Sequence, residues 1–577
     1  MEKRVIVAVL LMSAVIMLTN LLFPPPLPEE TALEPETAQV AQPVAPAPAD
    51  APGAITRPLP VATTALVPDT IRVTSDIYRL HFTTVGAGLR RAELLLFDSY
   101  TEEGPVQLVP EGARAFLSSR LVVGRDTIDL ATLPFVPSQR DVRVDEGSGP
   151  ATLSFRHGEE GEFGVELVYT FQPDSYLIDV QGRVTGLGGR PASLLTDIGP
   201  GLAPHEALEH RSEQQLAVVT RTPGDVTRLR LNKLEGQTHL PERFTWIGIK
   251  DKYFLSALIA GEAAPMEGAV LRRLPDAQQL FPDENRTIAV PQADVVAIMP
   301  IAATGEFGFQ AYLGPQDFIS LRGVGYDLEN VTQYAYRWLE PVIRPVAALI
   351  LWVLRWLHNT FGVAYGWVLV LFGVLMRIVL WPLNAKAMRA QMKNMGVQPL
   401  MTEIREKYKD DPQAQQQEMM RLYKEHGFNP LAGCLPLLVP FPVLITLFFV
   451  FQNTIAFRGA EFLWLPDLSL RDPYFILPAF LVISMFALQW ISMKMSGMEQ
   501  NPQMKMMMYV MPVMMGVLFF SLPAGLNLYY ATTNVASIPQ QTLIARERKR
   551  AQEDAKKATP KQPPSTAPGV RKRKRKK

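Results

Sequence analysis

The sequence predicts an α-helical polytopic membrane bundle of six spans carrying an all-β antiparallel sandwich domain on the far side of the membrane. Three observations predict it. Long apolar runs lie at the extreme N-terminus and again after Phe361. Between them the chain is charged and alternates apolar with polar residues, the period of a half-buried strand. A run of arginine and lysine closes the chain. The averages over 577 residues, a net charge of +1 and a mean hydropathy of +0.07, conceal this segregation.

The first element is the apolar run 5–23, behind Met1-Glu2-Lys3-Arg4. At about 1.5 Å per residue it is about 28 Å long, close to the hydrocarbon thickness of a bilayer. A cleaved signal peptide is the alternative. The run is longer than the apolar region of such a peptide, no small-x-small cleavage site follows it, and Pro24-Pro25-Pro26 come next. A retained signal-anchor span is therefore expected over 1–23, with Lys3 and Arg4 holding the N-terminus in the cytoplasm. Residues 24–68, rich in Pro, Ala, Glu and Thr, have no apolar periodicity and read as a flexible linker.

The second element is the sandwich, 69–325. Runs such as Val165-Glu166-Leu167-Val168-Tyr169-Thr170-Phe171 alternate strictly, and Gly, Pro and Asp punctuate them. The single cysteine, Cys434, excludes an intrachain disulfide, so this domain rests on its own core. No catalytic constellation stands out. The histidines are scattered, His205 and His210 are spaced poorly for one helical face, and Gly186, Gly188 and Gly189 read as a turn rather than a phosphate loop. No nucleotide motif, metal-ligand spacing or nucleophile elbow is present, so neither enzyme activity nor a cofactor is expected.

Residues 326–358 follow. The apolar part, 345–357, is short for a span and contains Arg355, while Tyr334, Tyr336, Trp338, Trp352 and Trp356 are interfacial residue types. An amphipathic helix lying on the membrane surface is predicted. The remaining spans are predicted at 361–383, 431–455, 474–492, 506–522 and 523–544. Six spans put both termini in the cytoplasm. The loop 384–430, with eight Lys/Arg, then lies inside, and the loop 456–473, with only Arg458 and Arg471, lies outside. A seventh span at 345–357 would put the basic tail 545–577 outside, against that rule. Loop 384–430 reads as a helical hairpin, with Asp411 as N-cap, Pro412 at the first helical position and Gly427 as terminator. It serves either as a solvated connector or as a docking element.

Candidate functional residues lie in the spans. Arg377 sits inside an apolar run, where a guanidinium costs about 2.5–3.5 kcal/mol on insertion scales. It either snorkels to the headgroups or lines a wet cavity. Asn527, Tyr530, Asn534, Ser537 and Gln541 recur at spacings of 3, 4, 3 and 4 and share one helical face. That stripe either bonds to neighbouring helices or, with Arg377, lines a hydrated groove. Methionines cluster from Met485 to Met515, among them Met511, Met514 and Met515. Flexible thioethers suit partners of variable shape, although ordinary lipid-facing or loop residues account for them as well. Pro436, Pro440 and Pro442 should distort their span.

Four stretches carry a resemblance. Val379-Leu380-Trp381-Pro382-Leu383 follows the arginine, and Asn429-Pro430-Leu431-Ala432-Gly433-Cys434-Leu435-Pro436-Leu437-Leu438 opens the third span. Asp472-Pro473-Tyr474-Phe475-Ile476-Leu477-Pro478 and Leu522-Pro523-Ala524-Gly525-Leu526-Asn527-Leu528-Tyr529-Tyr530 come later. Over about 345–545 the chain resembles the YidC membrane insertase family, related to the Oxa and Alb proteins of organelles. The signal-anchor and large extracytoplasmic domain resemble its Gram-negative subtype. The resemblance implies a five-span core around a groove open to cytoplasm and lipid, in the bacterial inner membrane, with the sandwich periplasmic. It implies that Arg377 is the groove arginine, that Tyr530 contacts substrate, and that Cys434 lies with Pro436 in a span guiding substrate. A groove position that is polar in the family is Gly373 here. The family's periplasmic domain resembles a sugar-binding β-sandwich, without a sugar function being implied.

The expected function is insertion and folding of integral membrane proteins, alone or with the Sec translocon (SecYEG and SecDF). The expected partners are nascent membrane proteins, the lipid bilayer and no small molecule. The basic tail is either a topology signal or a ribosome contact through phosphate neutralisation. A secondary transporter of small anions built around Arg377 is the alternative, although repeated halves are not visible. A membrane-anchored envelope enzyme is a second.

Overall fold

The structure, a computed structural model, describes residues 68–110, 116–159, 162–261, 264–281, 285–334, 339–382, 384–385, 398–409, 411–425, 441–496 and 502–558. The predicted span 5–23, most of the linker 24–68, Gly427, Cys434, Pro436 and the last residues of the tail lie outside them. The chain divides into two compact units. One is residues 1–352 with Asn453–Gly459, and the other is Val353–Gln452 with Ala460–Lys577.

The first unit is β-rich. Its strands form sheets of five, nine and six strands. Alternation works as expected where a sheet has one buried face. In Gly164–Phe171 the buried positions alternate with half-exposed ones, and the strand pairs antiparallel with Leu177–Thr185 and Ala151–His157. Two differences from a simple two-sheet antiparallel sandwich emerge. The strands are divided among three sheets, and Thr70–Thr74 pairs in parallel with the short strand Asp141–Arg143. One core cluster nevertheless draws on all three sheets, from Ile71 and Phe82 through Leu121 and Leu194 to Phe155 and Tyr169. Phe82, Phe155, Tyr169 and Phe171 pack ring against ring there, with centroids 4.9–6.5 Å apart.

The central strand Phe254–Ile259 breaks the alternation because every residue is buried. Phe254 and Leu258 face the main core. Leu255, Ala257 and Ile259 face a second core closed by α1 (Phe318–Val324) and the turn Leu328–Val331. Trp246, fully buried, is the largest side chain in that second core, and its indole Nε1–H donates to the Tyr326 carbonyl at 3.0 Å. Asp317 caps α1, accepting from the Ser320 amide at 2.9 Å.

A buried charged group also lies in this unit. Glu206 is 2.9 Å from His210 Nδ1 and 2.7 Å from Arg458 Nε. Burial by itself raises the Glu206 carboxyl. The His210 contact and the charges of Arg458, His210 and His205 outweigh it, bringing the pKa from 4.5 down to about 2. A carboxylate depressed on folding contributes stability above its unfolded pKa and loses it as pH falls toward the folded one. Unfolding of the sandwich should therefore become easier between about pH 4.5 and pH 2, by on the order of 3 kcal/mol. Denaturant titrations across that range check this, and Glu206→Gln should flatten the slope.

The second unit and the segment leading into it are helical. The helices are α2 (Glu340–Phe361), α3 (Tyr365–Val379), α4 (Gln398–Lys407), α5 (Pro412–Glu425), α6 (Phe441–Asn453), α7 (Ile476–Ser496), α8 (Pro502–Phe519) and α9 (Ala524–Ala558). Among the described residues α2 alone meets both length and hydropathy for crossing a membrane. Tyr365–Val379, Ile476–Ile491 and Tyr509–Phe519 are apolar but shorter. Helix α2 runs beyond the apolar stretch 345–357 at both ends, and in its first turn Glu340 pairs with Arg344 at 2.8 Å. It buries Ile343, Ala347, Ile350 and Leu354 and exposes Leu349, Trp352 and Trp356. Helix α5 starts where Asp411 accepts from the amides of Gln413 and Ala414.

The loop before α7 is built around Asp472, whose side chain is almost wholly buried. Asp472 accepts from Trp464 Nε1 at 3.2 Å, from the Tyr474 amide at 3.0 Å and from the Leu477 amide at 2.7 Å. The same loop serves α9, whose first amides donate outward: Ala524 to the Leu470 carbonyl at 2.7 Å and Gly525 to that of Leu468 at 2.8 Å. These are orphan groups of a helix start, satisfied by a neighbouring loop instead of water.

Candidate functional site

Helices α3 and α9 pack closely. Gly373, fully inside, is the reason: a Cβ there would lie 3.1 Å from Thr532 Cγ2 and 3.5 Å from Thr533 Cγ2. Small residues permit such an approach between spanning helices. Farther along, Phe372 of α3, Phe451 of α6 and Tyr529 of α9 meet with centroids 5.3–6.4 Å apart. Gly373 thus lies at a helix–helix contact.

Arg377 follows Gly373 by one turn on the same face of α3. Its side chain is half-buried. The guanidinium Nε is shielded from solvent and has no hydrogen-bond partner among the described residues. A cation in that state draws in water or an anionic partner, since the lost hydration is not replaced.

The predicted polar stripe of α9 is distributed among several neighbours. Asn527, fully buried, donates from Nδ2 to the Phe519 carbonyl at 3.0 Å, closing the turn from α8. The half-buried Tyr530 sets its ring 5.2 Å from Phe519. Asn534 donates to Ser484 Oγ of α7 at 3.0 Å. Ser537 donates to the Asn534 carbonyl one turn back. Gln541 keeps a buried Oε1 without a partner among the described residues. Four of the five thus make contacts toward α7, α8 or their own helix, while the α9 residues against Gly373 are Thr532 and Thr533, about a third of a turn round the helix.

One residue on that second face was not singled out from the sequence. Gln540 is fully buried and donates from Nε2 to the Trp381 carbonyl at 3.0 Å, where α3 has just ended. The signal available in the sequence was the Trp381-Pro382 break, which orphans carbonyls at the end of α3 and calls for a donor. Gln540 Oε1 and Asn527 Oδ1 are also buried without partners among the described residues.

Helix α8 presents Met511 at its surface and Met514 and Met515 half-buried, beside exposed Val513, Val517 and Leu518. It packs against α7 through Gly516, where a Cβ would run into Val482. Cys434 and Pro436 lie outside the described residues. The arrangement offers a cation and several amide oxygens, short of partners among the described residues, set among apolar helices.

Comparison with known proteins gives two family matches. The family described as 60Kd inner membrane protein matches residues 356–552, and the YidC periplasmic domain matches residues 70–349. A relative from Syntrophus aciditrophicus, named membrane protein insertase YidC, is 28% identical over 95% of this chain and 100% of its own. A second of that name, from Geobacter metallireducens, is 30% identical over 94% of this chain and 98% of its own. A crystal structure of an active YidC insertase with its first transmembrane domain resolved is 17% identical, covers 82% of this chain and 92% of its own, and has a TM-score of 0.32.

Proposed function

This chain belongs to the YidC family of membrane protein insertases, and from that premise we propose how its residues carry out insertion. Its function is to insert proteins into the inner membrane. Nascent membrane proteins are its clients, lipid is their destination, and a β-rich periplasmic domain accompanies the membrane region.

In the proposed route a client's polar tail enters a hydrated groove beside Arg377. The Nε of that arginine, shielded and without a hydrogen-bond partner among the described residues, is the observation that carries the reading. Gln540 and Gln541 extend the polar lining along α9, Asn527, Tyr530 and Asn534 connect it to α7 and α8, and Ser537 bonds back to its own helix. Gly373 brings α9 against α3 at one end of the groove. The client's apolar segment leaves along Met511, Met514 and Met515 and along the segment with Cys434 and Pro436. Burial of apolar surface in lipid, about 25 cal/mol per Å², drives the transfer. The membrane potential adds about 2.3 kcal/mol per charge per 100 mV for an acidic tail moving outward.

The proposed topology has six spans, with 5–23 as the first and α2 on the membrane surface. The short helices α3 and α6 form spans together with the residues flanking them. Helix α9 is long enough, at about 52 Å, to cross the bilayer and project beyond it. Both termini lie in the cytoplasm. The basic tail then reaches ribosomal RNA, and the chain inserts its clients alone or with the Sec translocon.

Site-specific photocrosslinking tests the route. Probes at Tyr530 and Met514, in cells with ribosomes stalled on a nascent membrane protein, are expected to capture the nascent chain. A probe at the exposed Ile483 of α7 serves as the comparison site. Gly373 is unsuitable because a bulky probe there would push against Thr532 and Thr533. Capture at Ile483 equal to that at Tyr530 would remove the groove as the path.

A further inference from the structure

Seven residues, the last of α6 and the six that follow it toward α7, are held by the β-rich unit. Asn453–Gly459 clusters with the sandwich, although Gln452 before it and Ala460 after it belong to the helical unit. Ile455 is buried in the sandwich's core cluster, and Phe457 is fully buried. A turn over Ile455–Phe457, closed by the Arg458 amide on the Ile455 carbonyl at 3.0 Å, presents Arg458.

The Arg458 side chain is 3% exposed and the Glu206 side chain 1%. Arg458 donates from Nε to Glu206 Oε1 at 2.7 Å and from Nη2 to the Asp98 carbonyl at 2.7 Å. Its guanidinium lies 4.6 Å from the centroid of Tyr100 and 5.5 Å from that of Phe254. Glu206 is held on its other side by His210, and His205 Nε2 lies 3.1 Å from Asp251 Oδ2. Asp251 in turn accepts from the amides of Tyr253 and Phe254. The Tyr100 amide donates to the His205 carbonyl at 2.9 Å, tying two walls of the site together.

This is a socket made by three segments of the sandwich, two of which reach the guanidinium through a carboxylate and a carbonyl while aromatic faces cover it. A planar guanidinium fits such a site and an ammonium does not, because the fork must reach two acceptors while its faces stack. Charges this deeply buried persist only when paired, so the socket discriminates strongly between occupied and empty. None of this follows from the groove, whose residues lie in the other unit.

We propose that this socket is an intramolecular docking site for the segment Asn453–Gly459. It pins the periplasmic domain to the chain between α6 and α7, a second point of attachment besides its direct connection through α2. Seating is intramolecular, so its effective concentration is high and a modest contact suffices to keep it occupied. The connection between α6 and α7 is restrained by the same contact.

Hydrogen–deuterium exchange of the full-length chain in lipid nanodiscs tests the inference. Peptides covering 453–459 are expected to exchange as slowly as those of the strand Trp246–Lys250. Arg458→Ala should raise exchange at 453–459 at least tenfold while Gly164–Phe171 stays protected, and Glu206→Gln should do so from the socket side. Arg458→Lys, which keeps the charge and loses the fork, should give the same local release and stands in if the alanine variant does not accumulate. Rapid exchange of 453–459 in the native chain, or unchanged protection in the variants, would overturn the proposal. So would loss of protection across the whole sandwich in Arg458→Lys, which would make the arginine an ordinary part of that core.

Discussion

Arg377→Gln should lower the insertion of clients with acidic translocated tails about tenfold and leave neutral-tailed clients near the native level. A tenfold change corresponds to about 1.4 kcal/mol. One charge pair at about 4 Å yields about 1 kcal/mol in water and about 4 kcal/mol at an effective dielectric of 20, so the partly hydrated surroundings of a half-buried arginine bracket that figure. Protease protection of client tails, compared for matched acidic and neutral pairs, reads the difference. The glutamine keeps a polar side chain of similar reach, so a loss shared equally by both client types would mean that the residue supports the helix packing and attracts nothing. The neighbouring contact of Gly373 with Thr532 gives that outcome a physical basis.

Trp246→Ala should destabilise the periplasmic domain by about 3–5 kcal/mol, the cost of emptying a large buried aromatic site. Trp246 is fully buried between the nine-stranded sheet and α1, and its loss also leaves the Tyr326 carbonyl without the indole donor. For a domain of this size the thermal midpoint should fall by roughly 10 °C. Thermal unfolding followed by circular dichroism in the strand region measures it. A fall of only one or two degrees would mean that α1 closes over the cavity.

Much of the fold was written in local periodicity. The alternation of Gly164–Phe171 is visible residue by residue, because a half-buried strand must alternate. The capping role of Asp411 followed from a short acid ahead of a proline. Arg377 stood out because charge inside an apolar run is costly wherever the run lies. The stretch beginning at Asp472 was legible as a motif, but its purpose became plain only with the loop in place. There the carboxylate satisfies Trp464 and two amides while neighbouring carbonyls receive the start of α9.

What escaped the sequence was every relation set by packing between distant segments. The stripe from Asn527 to Gln541 shares one face of α9, yet which helix that face meets depends on rotation about the axis, and no pattern within one helix encodes that. Periodicity therefore passed over Gln540, whose partner carbonyl at Trp381 lies 159 residues away. His205 and His210 looked ill-spaced because helical spacing was the wrong measure for a loop that folds around Glu206. By itself the sequence determined the order of apolar and alternating segments, the family and the presence of a cation inside an apolar run, since each depends on near neighbours and composition. The tertiary structure alone decided that Arg458 is buried 252 residues from its carboxylate, because only the folded sandwich removes both charges from water and so compels them to meet.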